Sequence, residues 1–243
     1  MNIQALLLTF IAGLILGLVS YLVLKYENKK LLSIFIALQL GIILFIVLDL
    51  IIPEAATLIG KSKSSPFNYI VVASSFLLGY YSLKLLTNMI KIKVKKSYKE
   101  ISEIALVSTI TLVFYNTIEG IDIYKNFIKS ITSGININLI IYTIPFIAII
   151  SIIVNKIIKD NKKTIIITSL IASSTVLGAI LKITLQSFLI NYNLGILNGI
   201  SAGLFTFVAL EKFIPYLKKE KEKKDILLAF LSGVILSFII SFI

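Results

Sequence analysis

Long apolar runs separated by short polar loops follow one another along the whole chain. Eight runs can be delimited, and each is close to the roughly 20 residues that an α-helix needs to cross a bilayer. They span about 3–24, 31–54, 66–90, 101–123, 135–155, 164–190, 194–217 and 225–243. The pattern therefore predicts an all-α integral membrane protein with eight transmembrane helices, in which residues 1–243 form a single transmembrane domain.

The composition favours the same class of protein. Hydrophobic residues make up 58% of the chain and charged residues 15%, which is too few to cover the surface of a soluble domain of this size. The first run has no lysine before Lys25 and no small-residue cleavage pattern. We therefore expect a retained transmembrane helix there rather than a signal peptide.

The lysines predict an orientation. All 24 basic residues are lysines, and the loops after odd-numbered spans hold 18 of them, whereas the loops after even-numbered spans hold 4. Because cytoplasmic loops are enriched in lysine, the odd loops are predicted to be cytoplasmic and both termini to lie outside a cell membrane. The net charge of +12 is dispersed among short loops, so we expect the lipid bilayer and not nucleic acid as the partner.

Histidine, cysteine and arginine are absent from the sequence. Disulfides and thiolate ligands are thereby excluded, and the commonest transition-metal ligand and general base is missing. No nucleophile–base pair or phosphate clamp is evident in the residues that remain. We therefore do not expect an enzyme.

The fourth span ends in FYNTIEGIDIY, which carries polar residues where a lipid-facing helix would carry Leu or Ile. Tyr115, Asn116, Glu119 and Asp122 follow the helical repeat and share one face. Such side chains are costly in lipid and usually face a bundle interior or a wet cavity. Hydrogen bonding between helices is the structural alternative for Asn116 and Glu119, and contact with water is the alternative for Asp122.

Two further spans carry prolines beside polar residues. The second span ends in LDLIIPEA, where Pro53 cannot bond the carbonyl of Asp49, so a kink and a free oxygen are expected. In the fifth span, Pro145 is expected to loosen the helix near Tyr142. Free carbonyls beside carboxylates suit a hard cation, although Asp49 and Glu54 could also simply reach water.

Glycines recur at helical spacing in two spans. Gly195, Gly199 and Gly203 in the seventh span, and Gly13 and Gly17 in the first, predict flat strips where neighbouring helices approach closely. In the fourth span, Gly120 is expected to allow the same close approach beside the polar face.

Four segments, in order, resemble the ZIP (Zrt/Irt-like) family of divalent metal transporters. LIIPEA at 50–55 resembles the family's HLLPEA, and YNTIEG at 115–120 resembles HNxxEG. YTIPF at 142–146 is similar to HxxPE, and SAGLFTFVALEKFIP at 201–215 is similar to AGxFxYxAxxExxP. The resemblance implies a ZIP-like bundle, a possible homodimer, and a transported Zn, Mn or Fe ion with no other cofactor.

The family's metal site lies in the fourth and fifth helices, and the resemblance carries over only part of it. Asn116 and Glu119 match family ligands, whereas Tyr115 stands where the motif has His. Tyr142 and Thr143 replace ligand positions. In addition, Phe146 stands in place of a carboxylate, and Thr175 stands where some members have a glutamate.

What remains is an oxygen-only site. The predicted metal ligands are Asn116, Glu119, Asp122, Tyr115, Tyr142 and Thr143, and the predicted entrance or supporting residues are Asp49, Glu54, Thr175 and Lys182. Oxygen ligands favour Mn²⁺ or another hard ion over Zn²⁺. Lys182 is expected either to act as an internal cation beside this site or to extend to the outer surface.

Two functions follow. The first is a ZIP-like transporter that moves a divalent metal cation through a mid-membrane site centred on Glu119 and Asn116. The second is a ZIP-fold membrane protein that has lost metal transport and serves as a scaffold, regulator or carrier of another solute.

Overall fold

A computed structural model describes residues 3–26, 30–60, 67–90, 98–129 and 137–241, and the regular elements within these ranges are all helices. They are α1 (Ile3–Lys25), α2 (Leu31–Gly60), α3 (Phe67–Met89), α4 (Lys99–Lys129), α5 (Ile137–Ile158), α6 (Asn161–Ala172 and Ser174–Thr184), α7 (Asn191–Lys219) and α8 (Lys223–Ile240). Helices satisfy all backbone hydrogen bonds internally, which an apolar solvent demands.

Five helices in the described ranges, α2, α3, α4, α6 and α7, are long and apolar enough to cross a membrane. Shorter apolar stretches occur in α1, at Leu14–Lys25, and in α5, at Tyr142–Ile158. The α8 helix has 18 residues and begins with charged side chains. This architecture is compatible with the predicted class, a helical membrane protein. The number of eight spans stays a prediction.

Some helices differ in extent from the predicted spans. The second apolar run continues as helix to Gly60, beyond the predicted end at 54. The sixth helix is interrupted at Ser173 and ends at Thr184, not at 190. After Thr184 the chain forms a turn, in which the Phe188 N–H donates to the Leu185 carbonyl at 3.0 Å and Lys182 Nζ donates to the Leu189 carbonyl at 2.9 Å.

Two π-helical turns lie just before prolines. Ile46–Ile51 in α2 precedes Pro53, and Val208–Phe213 in α7 precedes Pro215. A proline has no N–H to offer the carbonyl four residues earlier, and a π turn accommodates that gap. The first turn agrees with the distortion expected at Pro53. The second was not foreseen, and α5 stays one α-helix through Pro145.

The chain contains an internal repeat. The same landmarks recur in α2 and α7 at identical spacing: Gly41, Asp49 and Pro53, then Gly203, Glu211 and Pro215. Likewise, Phe76 and Gly79 in α3 recur as Phe230 and Gly233 in α8. The α2–α3 pair therefore corresponds to the α7–α8 pair.

The contacts repeat as well. A Cβ on Gly41 would overlap the carbonyl of Phe230, and a Cβ on Gly203 would overlap the carbonyl of the corresponding Phe76. The α2–α8 interface is thus reproduced by the α7–α3 interface. These interfaces have the most extensive helix contacts in the described part of the chain.

The two halves run in opposite directions. At the start of α7, Gly195 packs against Ala55 and Ile59 near the end of α2. Near the end of α7, Tyr216 is hydrogen-bonded to Ser33 near the start of α2. The repeat is therefore inverted, as in many secondary transporters.

One end of the bundle, which we call the basic end, collects ion pairs between helix termini. Lys30 lies 2.7 Å from Glu222, and that side-chain hydrogen bond raises the pKa of Lys30. Lys219 lies 2.6 Å from Glu100. Both pairs are largely exposed, so each contributes little to stability. They nevertheless show which helix ends lie together.

The glycine predictions are confirmed where the structure describes them. Gly120 packs against the carbonyl of Thr175 in α6, and Gly178 of α6 packs against the carbonyl of Thr117. Gly17 packs against Ser169. In α7, Gly195 and Gly203 make the contacts above, and Gly199 packs against Ser75 of α3; the surroundings of Gly13 lie outside the described residues.

Replacing Gly41 or Gly203 by Ala is expected to lower the free energy of unfolding by about 1–3 kcal/mol, because the new methyl group overpacks against backbone. Thermal unfolding in detergent measures this. Gly60→Ala is the control, since its nearest neighbour would be the Asn68 amide at 3.9 Å. Equal stability of all three variants would contradict the repeat-related packing.

Candidate cation site

The polar face of α4 lies inside the bundle. Tyr115 is 3% exposed, and its hydroxyl is hydrogen-bonded to the partly buried carboxylate of Glu119. The Tyr115 ring meets that of Phe205 in α7 edge to face, with centroids 5.1 Å apart. Asn116 is completely buried. A carboxylate, a phenol and an amide are therefore held together on one turn of helix.

The α5 helix supplies the next two predicted residues. Tyr142 and Thr143 are both buried, and Tyr142 interacts electrostatically with Glu119. Phe146, one turn further, packs against Phe205 with ring centroids 5.7 Å apart. The structure thus brings together Tyr115 and Glu119 of α4 and Tyr142 of α5, which lies one turn before Pro145.

The two acidic residues of α2 lie at the edge of this group. The side chains of Asp49 and Glu54 are exposed. Glu54 interacts electrostatically with Tyr115, and Asp49 with Tyr142. Their exposure agrees with the alternative that they reach water. Their negative charges nevertheless act on Tyr115 and Tyr142.

Asp122 belongs to a different charge group from Glu119. Its charged neighbours are Lys125 and Lys182. Lys182 donates to the Leu189 carbonyl, and Lys125 Nζ lies 3.3 Å from the side-chain oxygen of Asn191. The predicted polar stripe therefore divides into an inner part around Glu119 and an end group around Asp122, and Lys182 lies in the end group.

Thr175 has a packing role in the structure. It is fully buried, and its carbonyl lies against Gly120 on the neighbouring turn of α4. This close contact brings the α6 backbone next to the helix turn that carries Glu119.

Two buried residues of α7 were missed as site candidates. The side-chain nitrogen of Asn198 and the hydroxyl of Ser201 have no hydrogen-bond partner among the described residues. Antiparallel contacts, Lys125 to Asn191 and Lys212 to Glu103, place Ser201 at about the depth of Asn116. The sequence signal is the polar pair in LNGIS, in which Asn198 and Ser201 flank Gly199 of the glycine strip.

The donor set is chemically hard. It offers the Glu119 carboxylate, the Asn116 amide oxygen and two phenols. No group of three or more His, Cys, Asp or Glu that could hold a metal occurs in the described part of the chain. Both polar atoms of the Asn116 amide lack a partner there. Because such burial is costly, a bound cation or water would stabilise this amide.

No protein-family model matches the chain, and no curated protein matches it significantly. The likeness to the ZIP family is thus carried by the four sequence segments and their order alone.

Asn116→Leu is expected to raise the thermal stability of the cation-free protein, because it removes two unsatisfied polar atoms worth about 1–3 kcal/mol when buried. Added Mn²⁺ should not stabilise the same variant. Thr117→Val is the control, since the Thr117 hydroxyl already donates to Val113 at 2.7 Å. Destabilisation of the Leu variant would instead indicate a structural hydrogen bond.

Lys182→Met is expected to lower the free energy of unfolding slightly, because Lys182 Nζ donates to the Leu189 carbonyl in the turn after α6. Loss of one such hydrogen bond costs about 0.5–1.5 kcal/mol. Thermal unfolding in detergent measures this effect. A collapse of the fold would favour the hypothesis that Lys182 replaces a metal charge.

Proposed function

We propose that this chain is a ZIP-like membrane transporter that moves a divalent metal cation through a site centred on Glu119 and Asn116. One observation carries the proposal. The Glu119 carboxylate lies within one turn of the fully buried Asn116 amide, whose polar atoms have no partner among the described residues, on an apolar helix long enough to cross a membrane. Ionisable and polar groups at such depth are costly and usually serve an ion or solute.

The inverted repeat supports transport rather than a static role. In many transporters, two inverted halves take opposite conformations in turn and so expose one site to either side of the membrane. Here the α2–α3 and α7–α8 pairs form interfaces of the same design. The proposed transport movement is a rearrangement of one half relative to the other at these two interfaces.

The transported ion is a hard one. Carboxylate, amide and phenol oxygens suit Mn²⁺ better than Zn²⁺, which prefers nitrogen and sulfur ligands in tetrahedral sites. Glu119 supplies the charge, whereas Asn116 and the hydroxyls of Tyr115 and Tyr142 replace part of the hydration shell. Asp49 and Glu54, at the edge, attract the cation from outside.

The proposal includes the membrane topology. In it, α1, α5 and α8 also cross the bilayer, which gives eight spans in a cell membrane. The lysine-rich loops at the basic end then face the cytoplasm, and both termini lie outside. A homodimer is also proposed, because the resemblance to the ZIP family implies one.

Glu119→Gln is expected to reduce Mn²⁺ uptake into proteoliposomes by about 10- to 100-fold, because removing a charged ligand costs roughly 1.5–3 kcal/mol. Glu100→Gln is the matched control on the same helix, since Glu100 is an exposed partner of Lys219. Equal uptake by wild type and the Glu119 variant would overturn the proposal.

A further inference from the structure

Several buried side chains of the bundle have polar atoms without a hydrogen-bond partner in the described ranges. Eight such atoms occur, on Gln39, Ser108, Thr111, Asn116, Asn198 and Ser201. All six side chains are at most 4% exposed. A buried polar group without a protein partner is usually met by water, an ion or a ligand.

The hydroxyls of Ser108 and Thr111 in α4 depart from the usual behaviour of Ser and Thr in helices. Such side chains normally donate to the carbonyl one turn earlier, as Ser102 does to Tyr98 at 2.7 Å. Thr117 does the same to Val113. Ser108 and Thr111 make no such bond. Their hydroxyls are therefore available to something outside their own helix.

These residues continue the face that holds Glu119. Ser108, Thr111, Tyr115 and Glu119 follow at intervals of three or four residues, so they lie on one side of α4. At 1.5 Å per residue, the line from Glu119 to Ser108 covers about 16 Å along the helix. It leads from the site towards the basic end.

Gln39 of α2 is a further buried residue of this kind. The α2–α7 contact of Ser33 with Tyr216 and the α4–α7 ion pair of Glu103 with Lys212 fix the relative heights of the three helices. By this register, Gln39 lies at about the height of Ala105, roughly one turn nearer the basic end than Ser108. Its amide nitrogen and oxygen are both buried and unpaired.

A partly buried ion pair and aromatic rings flank the inner end of the line. Lys212 Nζ lies 2.9 Å from the Glu103 carboxylate. The fully buried rings of Phe146 and Phe213 pack together, with centroids 6.1 Å apart. The Glu103–Lys212 pair lies on the basic-end side of Ser108, because Glu103 precedes Ser108 in α4, which begins at Lys99 at that end.

We propose that Ser108 and Thr111 line a hydrated path that carries the cation from Glu119 towards the basic end, with the Lys212–Glu103 pair as its barrier at that end. This inference rests on the proposed function. Neutral oxygens suit the role because they replace water around a cation without trapping it, and conduction requires weak binding. The occupants of the path are water molecules and the passing divalent ion.

Accessibility to thiol reagents tests whether the path is wet. The sequence has no cysteine, so single variants can be made without altering the background. Ser108→Cys and Thr111→Cys, in lipid nanodiscs, are expected to react with a small charged methanethiosulfonate about tenfold faster or more than Val107→Cys, since reaction needs water. Val107 is fully buried next to Ser108. Equally slow reaction of all three would overturn the path.

Transport tests whether the path carries the ion. Thr111→Val, nearly equal in shape, is expected to lower the Mn²⁺ uptake rate by about tenfold. The Mn²⁺ dissociation constant is expected to change by less than about twofold, because Glu119 and the other proposed metal ligands are unchanged. Retained binding also shows that the variant is folded. Thr117→Val is again the control. Uptake by Thr111→Val at the wild-type rate would overturn the inference.

The two proposals fail in different ways. If wild type neither binds nor transports Mn²⁺, the proposed function fails, whatever the thiol reagents show. If wild type transports Mn²⁺, but the Ser108 and Thr111 variants behave like their controls, the function stands and the path is wrong.

Discussion

Close backbone contact at glycines is the constraint on which this bundle depends. Lipid offers no hydrophobic incentive for apolar helices to associate, so packing must come from surfaces that fit closely. Here glycines meet backbone at the α2–α8, α3–α7 and α4–α6 interfaces, through Gly41, Gly233, Gly79, Gly203, Gly120 and Gly178. The α4–α6 contact brings α6 beside the turn of α4 that carries Glu119.

The enclosed polar face gives the fold its functional character. A bundle held only by glycine and isoleucine packing would need no amide or carboxylate within it. Asn116 and Glu119 instead occupy positions where Leu or Ile would pack. Their cost in stability is understandable if a cation and its waters occupy the same volume during the transport cycle.

The sequence predicted much of this because some signals are local. Glycine spacing identified the contacts of Gly120 and Gly199, and helical periodicity identified the shared face of Tyr115 and Glu119. Other features depend on tertiary structure. The separation of Asp122 from Glu119 follows from where Lys125 and Lys182 lie in space. The burial of Gln39 and Ser201 depends on neighbouring helices, which no local pattern reveals.

The inverted repeat has a consequence for biogenesis. Each repeat-related interface joins one helix of the first half to one of the second, so α2 is complemented by α8 and α3 by α7. In the proposed topology, the glycine faces of α2 and α3 therefore lack these partners until α7 and α8 have been synthesised. The α2–α8 contact can consequently form only at the end of synthesis, after every other helix of the chain has been made.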